Sequence, residues 1–105
     1  MAEPAQHAPQ RILDGPLPVC KGYQQLTTEL AAAVGLTVPN GTTIAIIQCE
    51  VADVRYRADG VNPTATVGML IALGGELLYV ASTQQLSALR FLRTAVGAVI
   101  NVSYY

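Results

Sequence analysis

The sequence predicts an all-β domain, an antiparallel β-sandwich or barrel of about seven or eight short strands behind an extended N-terminal arm. Three observations predict it. An apolar run over residues 43–57, TIAIIQCEVADVRYR, changes into an alternating one. Turn-forming residues recur about every 8–12 positions, and no internal repeat is present. With 105 residues, the chain is long enough for one domain with its own core.

The first segment, residues 1–20, is predicted to be the arm, and residues 21–105 the β-domain. Four of the six prolines lie in the first 18 residues, and proline removes backbone donors and fixes φ. On a monomer such an arm would be a disordered tail, whereas in an oligomer it is the natural candidate to lie across a neighbour. Its apolar pair, Ile12 and Leu13, is a candidate docking point.

The next elements are a strand over residues 23–28 and, over 31–38, a second strand or a turn followed by a strand. The alanines there are also compatible with a helix over 28–34, since alanine has the highest helix propensity. Residues 39–42 contain Asn-Gly, which favours a tight hairpin turn. This turn is predicted to join the strand ending at Val38 to the central run.

The central run, residues 43–57, is predicted to form two central strands or one long bent strand. Residues 44–47 are all apolar, as in a strand covered on both faces. The later part alternates, as in a strand with one buried face. The alternating residues are Ala52, Val54 and Tyr56 on one face and Asp53, Arg55 and Arg57 on the other.

Four further strands follow, over residues 64–70, 76–81, 88–94 and 98–104. The connections between them are an exposed loop at 58–63, a hairpin at Gly74-Gly75, a polar stretch at 82–87 and a turn at 95–97 that joins the last two strands as a pair. In the last strand the alternation predicts one buried and one exposed face. Ile100, Val102 and Tyr104 form the buried set, and Asn101, Ser103 and Tyr105 the exposed one.

Composition limits the partners. Charged residues make up 12% and hydrophobic ones 51% of the chain, against about 25% charged in average soluble domains. Either an assembly covers part of the surface, or uncharged polar side chains wet it. The net charge of −1 with scattered basic residues argues against nucleic acid as a partner. No apolar run is long enough for a membrane span, and the start lacks a signal peptide, so we expect synthesis in the cytoplasm.

No catalytic or metal-binding arrangement is apparent, so we expect neither an enzyme nor a cofactor. The single histidine, His7, lies in the arm. Glu50 and Asp53 are predicted to pair with arginines of their own strand region. Cys20 and Cys49 match no metal spacing and are expected to be free thiols, Cys49 inside a strand and Cys20 near a loop.

Two features suggest assembly contacts. Arginines on one predicted sheet face suit fixed ion pairs across an interface, although local Asp–Arg pairing on a solvated face explains them equally well. The terminal Tyr105 suits an aromatic contact anchor. The candidate contacts are Ile12, Leu13, Arg55, Arg57, Arg90, Arg93 and Tyr105.

The block VADVRYRADGVNPTATVGM, followed by GGELLYV, ALRFLR and a C-terminal NVSYY, resembles a group of small proteins encoded among the virion structural genes of tailed bacteriophages. The resemblance covers roughly residues 21–105. It implies a β-sandwich virion component without catalytic residues, either a capsid decoration or vertex protein or a part of the neck and tail. Ala58 stands before Asp59 where a common form has a second acidic residue, which argues against a metal in that loop.

The leading hypothesis is therefore a non-enzymatic decoration, or cement, protein that binds the head shell of a phage as a homo-oligomer, with the major capsid protein as partner and the virion as location. The alternative is a neck, tail or tail-fibre component, for example a carbohydrate-binding β-module. A carbohydrate-binding module predicts a cluster of exposed aromatic side chains on one face, but the chain has no tryptophan, one phenylalanine and five tyrosines, and the alternation places several of them inside.

Overall fold

The computed structural model describes residues 18–105, which form two antiparallel sheets. The prediction of an all-β fold is confirmed. In chain order the strands are β1 (Gly22–Leu26), β2 (Ile44–Glu50), β3 (Val54–Arg57), β4 (Met69–Ile71), β5 (Glu76–Val80), β6 (Arg90–Arg93) and β7 (Val99–Tyr104).

One sheet has four strands in the order β1-β7-β2-β5, and the other has three in the order β4-β3-β6. Of the two architectures predicted, the structure is the sandwich. The central run forms β2 and β3, each an interior strand of its own sheet, as predicted. Because the chain passes from one sheet to the other between them, these are two strands and not one bent strand.

The core lies between the sheets, where the predicted alternation holds. In β3, Val54 and Tyr56 are buried and Arg55 and Arg57 only half-buried. The Tyr56 ring contacts the Phe91 ring of the neighbouring strand at 6.0 Å between centroids and meets Tyr79 of the opposite sheet edge-on at 6.5 Å. This aromatic cluster joins the two layers. Edge-on pairs of this kind stabilise beyond their buried area.

Helical structure replaces strand or loop in two places. Residues 82–87 were predicted to be an irregular connection, but Thr83–Ala88 is a helix, α1, that buries Leu86. The side chain of Ser82 accepts a hydrogen bond from Gln85 N at 3.1 Å, which is the N-cap interaction that favours serine before a helix.

The second place is the segment after β1. Thr28–Ala31 is a 3-10 helix with Leu30 fully buried, and the predicted strand over 31–38 is reduced to one bridge from Val34 to Phe91. Glu29 explains part of the difference, because its carboxylate accepts from Thr27 N at 2.9 Å and so favours a tight turn. A strand over 31–38 and a helix extending to residue 34 were both wrong.

Three chain crossings between the sheets lie at the same end of the sandwich. They connect β2 to β3, β4 to β5, and β6 to β7. The hairpin predicted at Gly74-Gly75 and the predicted pairing of the last two strands were therefore wrong, since the strands on either side of each turn belong to different sheets. The turns themselves exist: Gly74 has φ 80° and Gly97 φ 93°.

Two further predictions need correction. Asn40-Gly41 lies in a turn closed by Thr42 N donating to Pro39 O at 3.2 Å. The segment before this turn is irregular, and β1 pairs with β7, so the turn leads into β2 but does not form a hairpin with a preceding strand. The strand predicted over 64–70 begins only at Met69. The hydroxyl of Thr64 accepts from Val67 N at 2.9 Å, and such local bonds compete with strand pairing.

Candidate interaction surfaces

The predicted arginine set is divided by the sheet register. Arg57 lies directly opposite Arg90 on neighbouring strands, and Arg55 lies on the same outer face of the three-stranded sheet. Arg93 is opposite the buried Val54 and so belongs to the inward-facing side at the end of its strand. The structure thus brings together three of the four arginines.

These three arginines are engaged locally. Arg57 pairs with Asp59, with Nε 3.0 Å from Oδ1. Arg55 donates to Gly68 O at 2.9 Å, and Arg90 donates to the carbonyl oxygen of Ser87 at 2.8 Å. Of the two explanations for this face, the contacts match local pairing better than a set of free cations. The hydrogen bonds from Arg57 hold the pKa of the Asp59 carboxyl below its ordinary value.

The two acids expected to pair with arginines do something else. Asp53 accepts a backbone hydrogen bond from Leu73, and Glu50 accepts one from the side chain of Asn101. Arg57–Asp59 is the one ion pair formed among residues 18–105. Ile12 and Leu13 lie outside the described residues.

A first candidate surface, here called the apolar tip, is formed by Val51, Leu73 and Val96. Each lies in one of the three crossings at the same end of the sandwich, and their exposures are 62%, 57% and 81%. A Cβ on Gly97 would lie 3.4 Å from Val51 Cγ1, so the first and last crossings are in contact. Three crossings thus present one large aliphatic side chain each to solvent.

The apolar tip is held rigidly. Val51 has φ 76°, and Ala52 N donates to Glu50 O at 2.9 Å across it. This is a γ-turn with positive φ at its centre, a strained conformation that is unusual for a β-branched residue. Strain of this kind, about 1–3 kcal/mol, persists where surrounding contacts enforce it and is concentrated at functional sites.

Asp53 connects all three crossings of the apolar tip. Its carboxylate accepts from Leu73 N at 2.7 Å, and its carbonyl oxygen accepts from Thr94 N at 3.1 Å and from Thr94 Oγ1 at 2.8 Å. A single residue of the first crossing therefore fixes the positions of the other two. The tip is a preorganised surface.

A second surface lies beside the edge strand β4. It is an apolar groove of about 410 Å³, and the exposed side chains of Val61, Val67 and Leu70 belong to the same strand and the loop before it. The block VADVRYRADGVNPTATVGM, residues 51–69, thus spans β3, this loop and the first residue of β4. The groove is lined by Arg57, Ala58, Asp59, Gly68 and Met69.

A third surface, here called the polar cleft, lies on the outer face of the four-stranded sheet. One polar side chain from each strand forms a continuous row in register across it: Gln25, Asn101, Gln48 and Glu76. The next row begins with Tyr23 opposite Ser103. The cleft between these rows has a volume of about 220 Å³, and its lining residues are Tyr23, Ile46, Gln48, Glu76, Asn101, Ser103 and Tyr105.

Tyr105, a predicted contact residue, lines this cleft together with Tyr23. Tyr104 is buried, as its alternation predicts, and burial raises its pKa to about 12. An exposed tyrosine, Tyr23, and a half-buried one, Tyr105, are therefore brought to one face. Sequence analysis missed Tyr23, Gln48 and Asn101 as site residues. Their outward position in alternating strands was the available signal.

The cysteines are free thiols, as predicted, with Cys20 exposed and Cys49 buried. Burial, and secondarily the charge of Asp53, raises the pKa of Cys49 to about 11. Within residues 18–105, no three histidine, cysteine or acidic side chains come close enough to hold a metal ion. Nor does any helix in that part of the chain have the length and apolar character needed to span a membrane.

Comparisons of the chain with protein-family models, with curated proteins and with solved structures gave no match.

Proposed function

We propose that this protein is a non-enzymatic structural component of a tailed-phage virion that binds the head shell as a decoration protein. The resemblance of residues 21–105 to small phage virion proteins supports this function. So does the apolar tip, which is the single structural observation that carries the proposal. A rigid, exposed aliphatic surface at one end of a small β-sandwich suits docking onto a larger particle.

The tip suits this role because docking would bury its exposed aliphatic side chains and because its shape is already fixed in the free protein. Burying a large aliphatic side chain contributes about 1.5–3 kcal/mol, and little ordering is required because Asp53 already holds the three crossings together. Three such side chains give a modest contact per copy. Repetition by the symmetry of a shell multiplies that contact into stable binding.

The direct test replaces the three tip residues with serine. In particles of the source phage, the triple variant Val51→Ser/Leu73→Ser/Val96→Ser is expected to lose occupancy, measured as copies per particle by quantitative mass spectrometry. A control replaces one exposed aliphatic residue outside both the apolar tip and the groove beside β4, Val80→Ser, and is expected to retain occupancy. Equal occupancy of the two variants would remove the apolar tip from the proposal.

Copy number distinguishes the proposed location from its alternative. Hundreds of copies per particle indicate the head shell, whereas about five to a dozen indicate the neck, tail or a unique vertex. Absence of the protein from purified particles would overturn the virion role altogether. Deletion of residues 1–18, followed by the same occupancy measurement, tests whether the arm with Ile12 and Leu13 contributes to anchoring.

A further inference from the structure

We infer that the polar cleft is a binding site for a neutral saccharide chain. The inference is independent of the head-shell proposal, because it concerns the outer face of the four-stranded sheet and not the apolar tip.

The shape of the cleft is set by the side chain of Tyr23. Tyr23 lies opposite Ser103 in the sheet register, but its hydroxyl donates to Asn101 Oδ1, two residues earlier in β7. The ring therefore leans along the sheet and does not stand upright on it. With 63% of the residue exposed, it presents a flat apolar surface of the kind that stacks against the C–H face of a sugar ring.

The hydrogen-bonding groups beside this ring match a polyhydroxylated ligand. Gln48 donates to Glu76 at 3.2 Å, and Asn101 donates to Glu50 at 2.9 Å. Each amide keeps further donor or acceptor capacity, and each carboxylate has several lone pairs. Paired amides and carboxylates offer adjacent donors and acceptors, which is what neighbouring sugar hydroxyls require.

Charge decides against other ligands of similar size. The acidic side chains of this face are Glu50 and Glu76, and the strands that build it contain no lysine or arginine. Lys21, which directly precedes β1, is the one cation near the cleft among the described residues, so negative charge predominates there. Phosphates, nucleotides and acidic sugars would therefore be repelled. The volume of about 220 Å³ lies below the roughly 300–1,000 Å³ of sites for drug-sized ligands. It suits a single sugar unit of a longer chain that runs across the open sheet face.

The test is a titration of the folded protein with defined oligosaccharides, followed by two-dimensional NMR. The probes are maltohexaose and cellohexaose as neutral chains of different linkage, a mannose oligomer, and hexagalacturonate as an anionic control. We expect at least one neutral chain to shift the side-chain amide resonances of Gln48 and Asn101, and hexagalacturonate to shift none. The inference would be overturned if no neutral chain shifted these amide resonances. It would also be overturned if the anionic chain shifted them as much as a neutral one.

Variants test the roles of the residues. Tyr23→Ala is expected to weaken binding about tenfold, and Tyr23→Phe by less, because phenylalanine keeps the stacking surface but loses the bond to Asn101 that orients the ring. Gln84→Ala, an exposed substitution on α1, is the matched control and should leave the affinity unchanged. Equal affinities for Tyr23→Ala and Gln84→Ala would contradict the stacking role.

A dependence on protein concentration tests a different occupant. If the resonances of the cleft shift with protein concentration and not with added sugar, a second copy of the chain occupies the cleft, and the inference is overturned.

Discussion

The carboxylate of Asp53 lies 2.7 Å from the backbone nitrogen of Leu73, and this one hydrogen bond ties together two chain crossings that are 20 residues apart. It cross-links the two crossings, as a disulfide or an ion pair does in other proteins. Since Asp53 was expected to pair with an arginine, its real partner changes what its replacement should do.

Asp53→Ala is expected to destabilise the fold by about 1–1.5 kcal/mol, because it removes the charge-assisted hydrogen bond from the Leu73 N–H. Asp59→Ala is the matched control: it removes an exposed carboxylate whose ion pair with Arg57 is screened by solvent and contributes little to stability. The free energy of unfolding in urea measures both. A larger loss in the control would contradict the importance of the Asp53–Leu73 bond.

At the strained turn of Val51 we expect a substitution to stabilise the fold and not to destabilise it. Glycine adopts positive φ without steric cost, so Val51→Gly relieves about 1–3 kcal/mol of strain and loses about 0.5–1 kcal/mol through unfolded-chain entropy. We expect a net stabilisation of about 1 kcal/mol in thermal or urea unfolding. Val96→Gly, at another exposed tip position outside the positive-φ set, should destabilise instead. Destabilisation by both would show that Val51 is not strained.

The 3-10 helix that replaced a predicted strand can be tested through Leu30. Leu30 is fully buried, whereas Leu70 is 48% exposed. Leu30→Ala should therefore cost about 2–5 kcal/mol through lost burial and a cavity, and Leu70→Ala should cost well under half as much. The comparison is made with the midpoints of urea unfolding, provided that the unfolding free energy of both variants depends equally steeply on urea concentration. Similar costs at the two sites would mean that the segment 28–31 does not contribute to the core.

The two thiols should differ in reactivity and in their response to pH. A thiol reagent at pH 8 should modify Cys20 in the folded protein and Cys49 only on unfolding, since the thiolate is the reactive form. Because the pKa of Cys49 is raised from 9.0 to about 11 in the fold, folding favours its neutral form. Its contribution to stability is then complete below about pH 9 and is lost as the pH rises towards 11.

This pH dependence can be assigned with a substitution. Cys49→Ala should flatten the fall in unfolding free energy between pH 9 and 11, and Cys20→Ala should leave it unchanged. Burial also raises the pKa of Tyr104 to about 12, so a residual decline in the Cys49 variant is expected at still higher pH. Equal reactivity of the two thiols in the folded chain would contradict the buried position of Cys49.

Local sequence determined which residues share a face and where the chain turns. The alternation around Val54 and Tyr56 and around Ile100 and Val102 separated the buried side chains from the half-buried ones correctly, because successive side chains of any strand point to opposite faces. Turns at Asn40-Gly41 and Gly74 were also predictable, since glycine tolerates positive φ. Fold class, the positions of β2, β3, β5, β6 and β7, and the state of both cysteines follow from such local rules.

Tertiary structure alone decided which strands are neighbours. The pairing of β1 with β7 and of β2 with both β5 and β7 joins residues more than 25 positions apart, and a two-residue period carries no information about the partner. The apolar tip and the polar cleft depend on those pairings. The tip forms because three crossings meet at one end of the sandwich and bring together Val51, Leu73 and Val96. The cleft forms because neighbouring strands place Tyr23, Gln48 and Asn101 side by side.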